Sequence, residues 1–239
     1  MAEPSHPKNA ASVILLRTKP LGGFEIFLTQ RPLQMKFLGG MYVFPGGTVR
    51  KEDCADAVLR RCLGLTPREA QRIAGATLSP KLCLGHWVAA VRELFEEVGV
   101  LLCVTETGEA LNGKEQKRKE SVAEKRLALI KGEIEFRSFL EGERLLCDLA
   151  RLAHFSHWQT PREFAMRFNT HFYLAQLPPD QEPLPNSQEV TDSLWVTPEH
   201  ALKLCEQGSL PLIFPTFACL RTLADFGTLK HLGAEYGLG

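Results

Sequence analysis

From Ala89 to Val100 the chain reads Ala-Ala-Val-Arg-Glu-Leu-Phe-Glu-Glu-Val-Gly-Val, and this spacing commits the segment to an amphipathic α-helix. At about 100° per residue, Glu93, Glu96 and Glu97 fall within an arc of roughly 100°. Val91, Leu94, Phe95 and Val98 line the opposite side, so one face is apolar and the other densely negative. Ala89 and Ala90 flank the carboxylates and leave room beside them for ions and a substrate. Gly99 stands where a left-handed cap is wanted, and Arg92 precedes Glu96 by one turn, so the helix ends near Val98.

Three carboxylates this close repel one another unless a counter-charge intervenes. For an all-oxygen donor set that counter-charge is a hard divalent ion, Mg²⁺ or Mn²⁺. An isolated Arg-Glu-x-x-Glu-Glu run more often marks a solvated helix laced with ion pairs. Here, however, Phe44-Pro45-Gly46-Gly47 lies upstream. The two segments together resemble the box of the Nudix hydrolases, G-x5-E-x7-R-E-U-x-E-E-x-G-U, where U is bulky and apolar. Arg92, Glu93, Leu94, Glu96, Glu97, Gly99 and Val100 match its right half, and Gly47 opens its left half. Asp53 stands where the family has Glu, and 38 residues separate it from Arg92, against seven in the pattern. The box therefore carries an insertion.

The resemblance extends along most of the chain. Leu28-Thr29-Gln30-Arg31 is similar to the coenzyme A diphosphatase signature L-L-T-x-R-S-x-x-L-R-x-H-x-G-Q-V-x-F-P-G-G, with Arg31 and Phe44 at its spacing and Gly40 retained. Lys36 replaces its second Arg, Leu38 its His and Met41 its Gln. Trp158-Gln159-Thr160-Pro161, then Arg167-Phe168-Asn169-Thr170-His171-Phe172-Tyr173, is similar to the subgroup with a long box insertion that includes peroxisomal acyl-coenzyme A diphosphatases.

The resemblance implies an α/β fold, a Nudix-type α/β/α sandwich with a mixed sheet plus inserted helices. It would run over residues 10–226, with helical insertions at about 54–84 and 114–152. It also implies hydrolysis of a diphosphate linkage in a nucleoside diphosphate derivative, most naturally coenzyme A or an acyl-coenzyme A. The Gly46 carbonyl, Glu93, Glu96 and Glu97 would hold Mg²⁺ or Mn²⁺, and Arg92 would orient the carboxylates. Glu93 is the first candidate for the general base and Glu189 the second. Arg31, Lys36, Phe44 and Arg167 are candidate substrate contacts. Hydrolysis of ADP-ribose, a dinucleotide or a nucleotide sugar would use the same chemistry, and a binding module without turnover is the alternative of another class.

The local signals agree. Ala10 to Arg17 and Phe24 to Arg31 are strand-length apolar runs joined by a glycine-containing turn, and Ser193 to Val196 forms a further strand. Thr66-Pro67-Arg68-Glu69 is a capping box that opens a helix through about Ala74, preceded by one over Asp56 to Cys62. Lys114 to Leu152 reads as two or three helices, with Leu145, Leu149 and Leu152 on one face. These helices could form a lid or a homodimer surface. His154 and His157 lack the companion ligands of a zinc site.

With 28 basic and 28 acidic residues, the chain lacks the excess charge that nucleic acid or a membrane surface would demand. Its seven cysteines, an odd count, fit reduced thiols in the cytoplasm rather than a disulfide framework.

Overall fold

A computed structural model describes residues 6–20, 22–75, 77–111, 116–186 and 188–238. The chain opens with β1 (Lys8–Thr18), β2 (Phe24–Gln30), β3 (Tyr42–Val43) and β4 (Gly46–Thr48). A 3-10 turn at Glu52–Cys54, α1 (Asp56–Leu59), β5 (Cys62–Leu63) and α2 (Pro67–Ala74) lead into α3 (Pro80–Val98). Then come β6 (Cys103–Thr105), α4 (Gln116–Ile130), α5 (Phe136–Gly142), β7 (Leu145–Asp148), β8 (Ala153–Gln159), β9 (Phe168–Gln176) and β10 (Asp192–Val196). Three helices close the chain: α6 (Pro198–Glu206), α7 (Phe214–Leu223) and α8 (Leu229–Tyr236).

Seven consecutive residues of β1, Ala10 to Leu16, are buried, which requires a central strand covered on both faces. One edge of β1 pairs in parallel with β9, from Lys8↔Phe168 to Leu16↔Gln176. The other edge is divided: β4 pairs with Ala10 to Ser12, whereas β2 pairs with Leu16 to Thr18. The sheet, in order β10-β2-β1-β9-β8, therefore splits beside Ser12. Ser12 Oγ donates to the Pro45 carbonyl at 3.1 Å and Val13 N to the same oxygen at 2.8 Å, which fixes the Pro45–Gly47 crossover in the split. Helix α3 covers one face of the sheet and α6, α7 and α8 the other. This mixed sheet between helical layers is the α/β architecture the sequence implies, and it excludes a purely helical scaffold.

Tertiary pairing redraws two sequence expectations. The helix expected over Asp56 to Cys62 stops at Leu59, and Cys62 enters a strand. Leu145 to Asp148, expected to be helical, is also a strand with an alternating burial pattern. β7 pairs with β5 through Cys62↔Cys147 and with β6 through Cys103↔Cys147. The insertion within the box and the one after it are thus joined by a three-stranded sheet. The sequence reading grouped Leu145, Leu149 and Leu152 at helical spacing, but the open edges of β5 and β6 recruit this segment as a strand.

Helix α3 also differs from expectation. Capped by the Ser79 side chain, it is 19 residues long, and every residue from Cys83 to Val98 is buried. Its acidic face is not solvated. Ala89 and Ala90 are fully buried in the same core as Ala11 and Val13, so their small side chains admit the sheet rather than leave a void.

The second insertion shares this core. Phe139 of α5 is fully buried, and its ring stacks on Phe95 with centroids 4.9 Å apart. Phe139→Ala should therefore destabilise the protein by about 3–5 kcal/mol in urea unfolding followed by circular dichroism. A loss below about 1 kcal/mol, the scale of a surface change, would show that the insertion lies outside the cooperative core.

Candidate active site

The loop after β4 and helix α3 meet through one side chain. Arg92 is 1% exposed, and each of its five N–H donors has an acceptor. Nε donates to Asp53 Oδ1 at 2.8 Å, and Nη2 to Asp53 Oδ2 and the Thr48 carbonyl, both at 2.9 Å. Nη1 donates to Glu93 Oε1 at 2.7 Å and Glu96 Oε2 at 3.1 Å. Burial alone would lower the Arg92 pKa, but the Asp53 hydrogen bond and the charges of Glu93, Asp53 and Glu96 outweigh it and raise it. Arg50 N donates to Asp53 Oδ2 at 2.8 Å, which closes the loop on the same carboxylate.

The glycines allow this approach. Gly46 N donates to Glu97 Oε2 at 2.9 Å. A Cβ on Gly47 would lie 2.6 Å from the Glu93 carboxyl carbon and from Oε1, so any other residue here would displace the Glu93 carboxylate from the position Arg92 gives it.

The C-terminal end of α3 leaves no terminal carbonyl orphaned. Phe95 O accepts from Gly99 N at 2.9 Å, Glu97 O from Asn186 N at 2.7 Å and Val98 O from Leu184 N at 2.7 Å. Glu96 O accepts from Arg126 of α4, whose Nη2 is 3.1 Å away and also reaches the Leu184 carbonyl at 2.8 Å. Capping therefore brings α4 and the segment before β10 to the acidic end of the helix, and Glu189 with them.

Glu93, Glu96 and Glu97 are all at least nine-tenths buried. Burial pushes the Glu97 carboxyl well above the ordinary range. Glu93 and Glu189 add to that shift, while the Gly46 N–H and Arg31 oppose it. Burial also raises Glu93, with Arg92 opposing, and raises Glu189, to which the Glu93 charge adds. Arg31 lowers both Glu97 and Glu189, and its buried Nε has no hydrogen-bond partner among the described residues.

This donor set fits a hard divalent ion: its donors are oxygens, and its carboxylates are buried, repel one another and lack a full counter-charge. Among the described residues no three His, Cys, Asp or Glu groups converge on an ion position. Both oxygens of Glu96 accept from guanidinium groups.

Residues 7–223 match the family model described as the NUDT19 Nudix domain. The chain belongs to this Nudix family. The acyl-coenzyme A diphosphatase NUDT19 of Xenopus laevis is 25% identical over 235 residues, covering 87% of this chain and 62% of the relative. The human protein of that name is 28% identical over 269 residues, covering 96% of this chain and 72% of its own length. The chain thus spans less than two thirds of the Xenopus relative. A NUDIX hydrolase from Alicyclobacillus acidocaldarius superposes with a TM-score of 0.76 at 22% identity, covering 98% of this chain and 99% of that one; the likeness is one of fold.

The Nudix fold gathers some of the expected site residues and separates others. Glu93, Glu96, Glu97, Arg92, Gly46, Arg31 and Glu189 come together. Phe44 is 3% exposed in the other core, its ring edge-on to Phe172. Arg167 is buried in the β8–β9 hairpin, where Nε donates to the Thr160 carbonyl at 3.2 Å. Lys36 is exposed in the loop between β2 and β3.

Asp53 anchors Arg92, a role not assigned to it from the sequence. Arg50, Arg126 and Asn186 were not singled out, and Arg50 alone carried a signal, being a cation between Gly47 and Asp53. His154 and His157 lie on β8 with His171 and His86 nearby. His154 Nε2 is 3.0 Å from His171 Nδ1. Burial holds the His154 pKa down at about 4 and the His171 pKa at about 2, so neither is charged at neutral pH.

Because the Glu97 pKa is raised in the folded state, the unfolded chain loses that proton first as pH rises. Between the ordinary carboxylate value and the raised one the native state binds more protons, so this group's contribution to stability falls with pH. In chelator, Glu97→Gln should therefore melt progressively higher than the native sequence as pH rises from 5 to 8. Scanning calorimetry showing a difference that is flat or shrinks with pH would mean that Glu97 carries no such strain.

Proposed function

We propose that this chain hydrolyses the diphosphate linkage of a nucleoside diphosphate derivative, with coenzyme A or an acyl-coenzyme A as substrate and Mg²⁺ or Mn²⁺ as cofactor. The buried, under-compensated carboxylate cluster held on the glycine loop carries this reading. The substrate class is supported by the acyl-coenzyme A diphosphatases among the chain's relatives. Ions held by Glu93, Glu96, Glu97 and the Gly46 backbone would neutralise phosphate oxygens and lower the pKa of a bound water.

The protein's own groups supply the rest. Arg92 fixes Glu93 and Glu96, so both carboxylates are positioned before substrate arrives. Arg31 offers its unpaired Nε–H to a phosphate oxygen beside Glu97. Glu189 is a better general base than Glu93: Arg92 grips Glu93, whereas the Glu189 side chain accepts no hydrogen bond among the described residues, and burial raises its pKa and so makes it more basic than an exposed carboxylate. Glu189 takes a proton from the attacking water, a new P–O bond forms and the anhydride P–O bond breaks. With an acyl-coenzyme A the products are 3′,5′-ADP and acyl-phosphopantetheine.

We also read residues 10–226 as one catalytic unit in a reducing, cytoplasmic setting. The shared three-stranded sheet supports the first part, and the odd count of seven cysteines supports the second.

Mass spectrometry of products tests the activity, using coenzyme A, acyl-coenzyme A, ADP-ribose, NADH and nucleoside triphosphates with Mg²⁺ or Mn²⁺. The native sequence should release 3′,5′-ADP from coenzyme A species. Glu97→Gln should abolish turnover, and Glu189→Gln should lower kcat by about 100-fold or more. Cleavage of another diphosphate alone would discard the substrate assignment; no cleavage with either ion would discard the hydrolase.

A further inference from the structure

Arg50 is joined to Glu96 by a bidentate pair, Nη1 to Oε1 at 3.2 Å and Nη2 to Oε2 at 2.9 Å. The Glu96 side chain is 7% exposed, while that of Arg50 is 48% exposed. Glu96 Oε2 also accepts from Arg92, at 3.1 Å, so both oxygens of this carboxylate are engaged. The two guanidinium groups differ in freedom. Arg92 is buried with every donor satisfied, and moving it would strand Asp53 and Glu93. The Arg50 guanidinium donates hydrogen bonds to Glu96 alone among the described residues, while its charge also favours the ionised forms of Glu93 and Glu189. It also lines a half-open cleft of about 290 Å³ between the box and the second insertion, with Leu129, Ile134, Phe136 and Arg137 on the other wall. The freed side chain has somewhere to go.

We infer that Arg50 is an exchangeable counter-ion: it locks Glu96 until a divalent ion takes the carboxylate, and the released guanidinium then receives a phosphate group of the substrate. This rests on the metal-dependent reading above. The charge balance favours it, because a bidentate guanidinium neutralises a buried carboxylate at low energetic cost while half of its own surface stays in water. An incoming dication compensates Glu96 more fully, and the displaced cation is left beside a site about to receive an anionic diphosphate. Arg50 thus changes partner, from the Glu96 carboxylate to the substrate.

Mn²⁺ titration followed by electron paramagnetic resonance, without substrate, reads the lock directly, and thermal melting verifies that each variant folds. Arg50→Gln should bind Mn²⁺ about three- to fivefold more tightly than the native sequence, the scale of a partly exposed pair. Arg50→Lys should fall midway, because lysine keeps the charge but loses the fork. Affinity in Arg50→Lys equal to native would mean a charge acting only through space, and unchanged or weaker affinity in Arg50→Gln would mean no lock; either overturns the inference while leaving the metal centre intact. Mn²⁺ binding to none of the three proteins would overturn the metal centre as well. In the hydrolysis assay Arg50→Gln should raise KM more than it lowers kcat, and an unchanged KM would overturn the phosphate-receiving half.

Discussion

A single buried guanidinium holds the catalytic end of this molecule together. Arg92 is charged in the interior, and that arrangement is tolerable only while every donor finds an acceptor. Its acceptors come from three places: the backbone after β4, the Asp53 turn and the next turns of its own helix. Meeting these demands fixes the glycine loop against α3 and orients Glu93 and Glu96. Without that network the Gly47 backbone would have no reason to lie within van der Waals reach of a carboxylate.

The far end of the same helix sets the second constraint. Its terminal carbonyls are buried and must be capped, and the caps come from Gly99, Arg126, Leu184 and Asn186. Two of these lie in the segment before β10 and one in the second insertion. Satisfying backbone carbonyls therefore assembles the site from parts far apart in sequence, and it carries Glu189 toward Glu93 and Glu97. Such parts are structural at the hydrogen-bond level and functional at the level of the charge they deliver.

The carboxylates themselves are arranged against their own electrostatics. Burial and mutual repulsion push Glu93, Glu97 and Glu189 up together, with Arg31 and Arg92 offsetting part of the cost. A protein selected only for stability would not keep this arrangement. It makes sense where a cation and a polyanion are the usual occupants, and where part of the counter-charge, at Arg50, is held on an exposed and movable side chain.

The helix, its C-terminal glycine, the Thr66 capping box and the strands β1, β2 and β10 were legible in the sequence, because each depends on local periodicity or a local cap. The box residues were legible because their spacing along one helix fixes their angular placement. The strand identity of Leu145 to Asp148 was not, since its partners β5 and β6 lie about 40 or more residues away in sequence and its leucines also satisfy helical spacing. Nor did the sequence show that Phe44 packs in the core. By itself, then, the sequence determined which groups share the acidic helix face. Only the tertiary structure decided that this face is buried, that Arg126 and Asn186 cap it, and that Arg50 occupies Glu96, because pairing, burial and capping are set by what packs against an element rather than by the element's own residues.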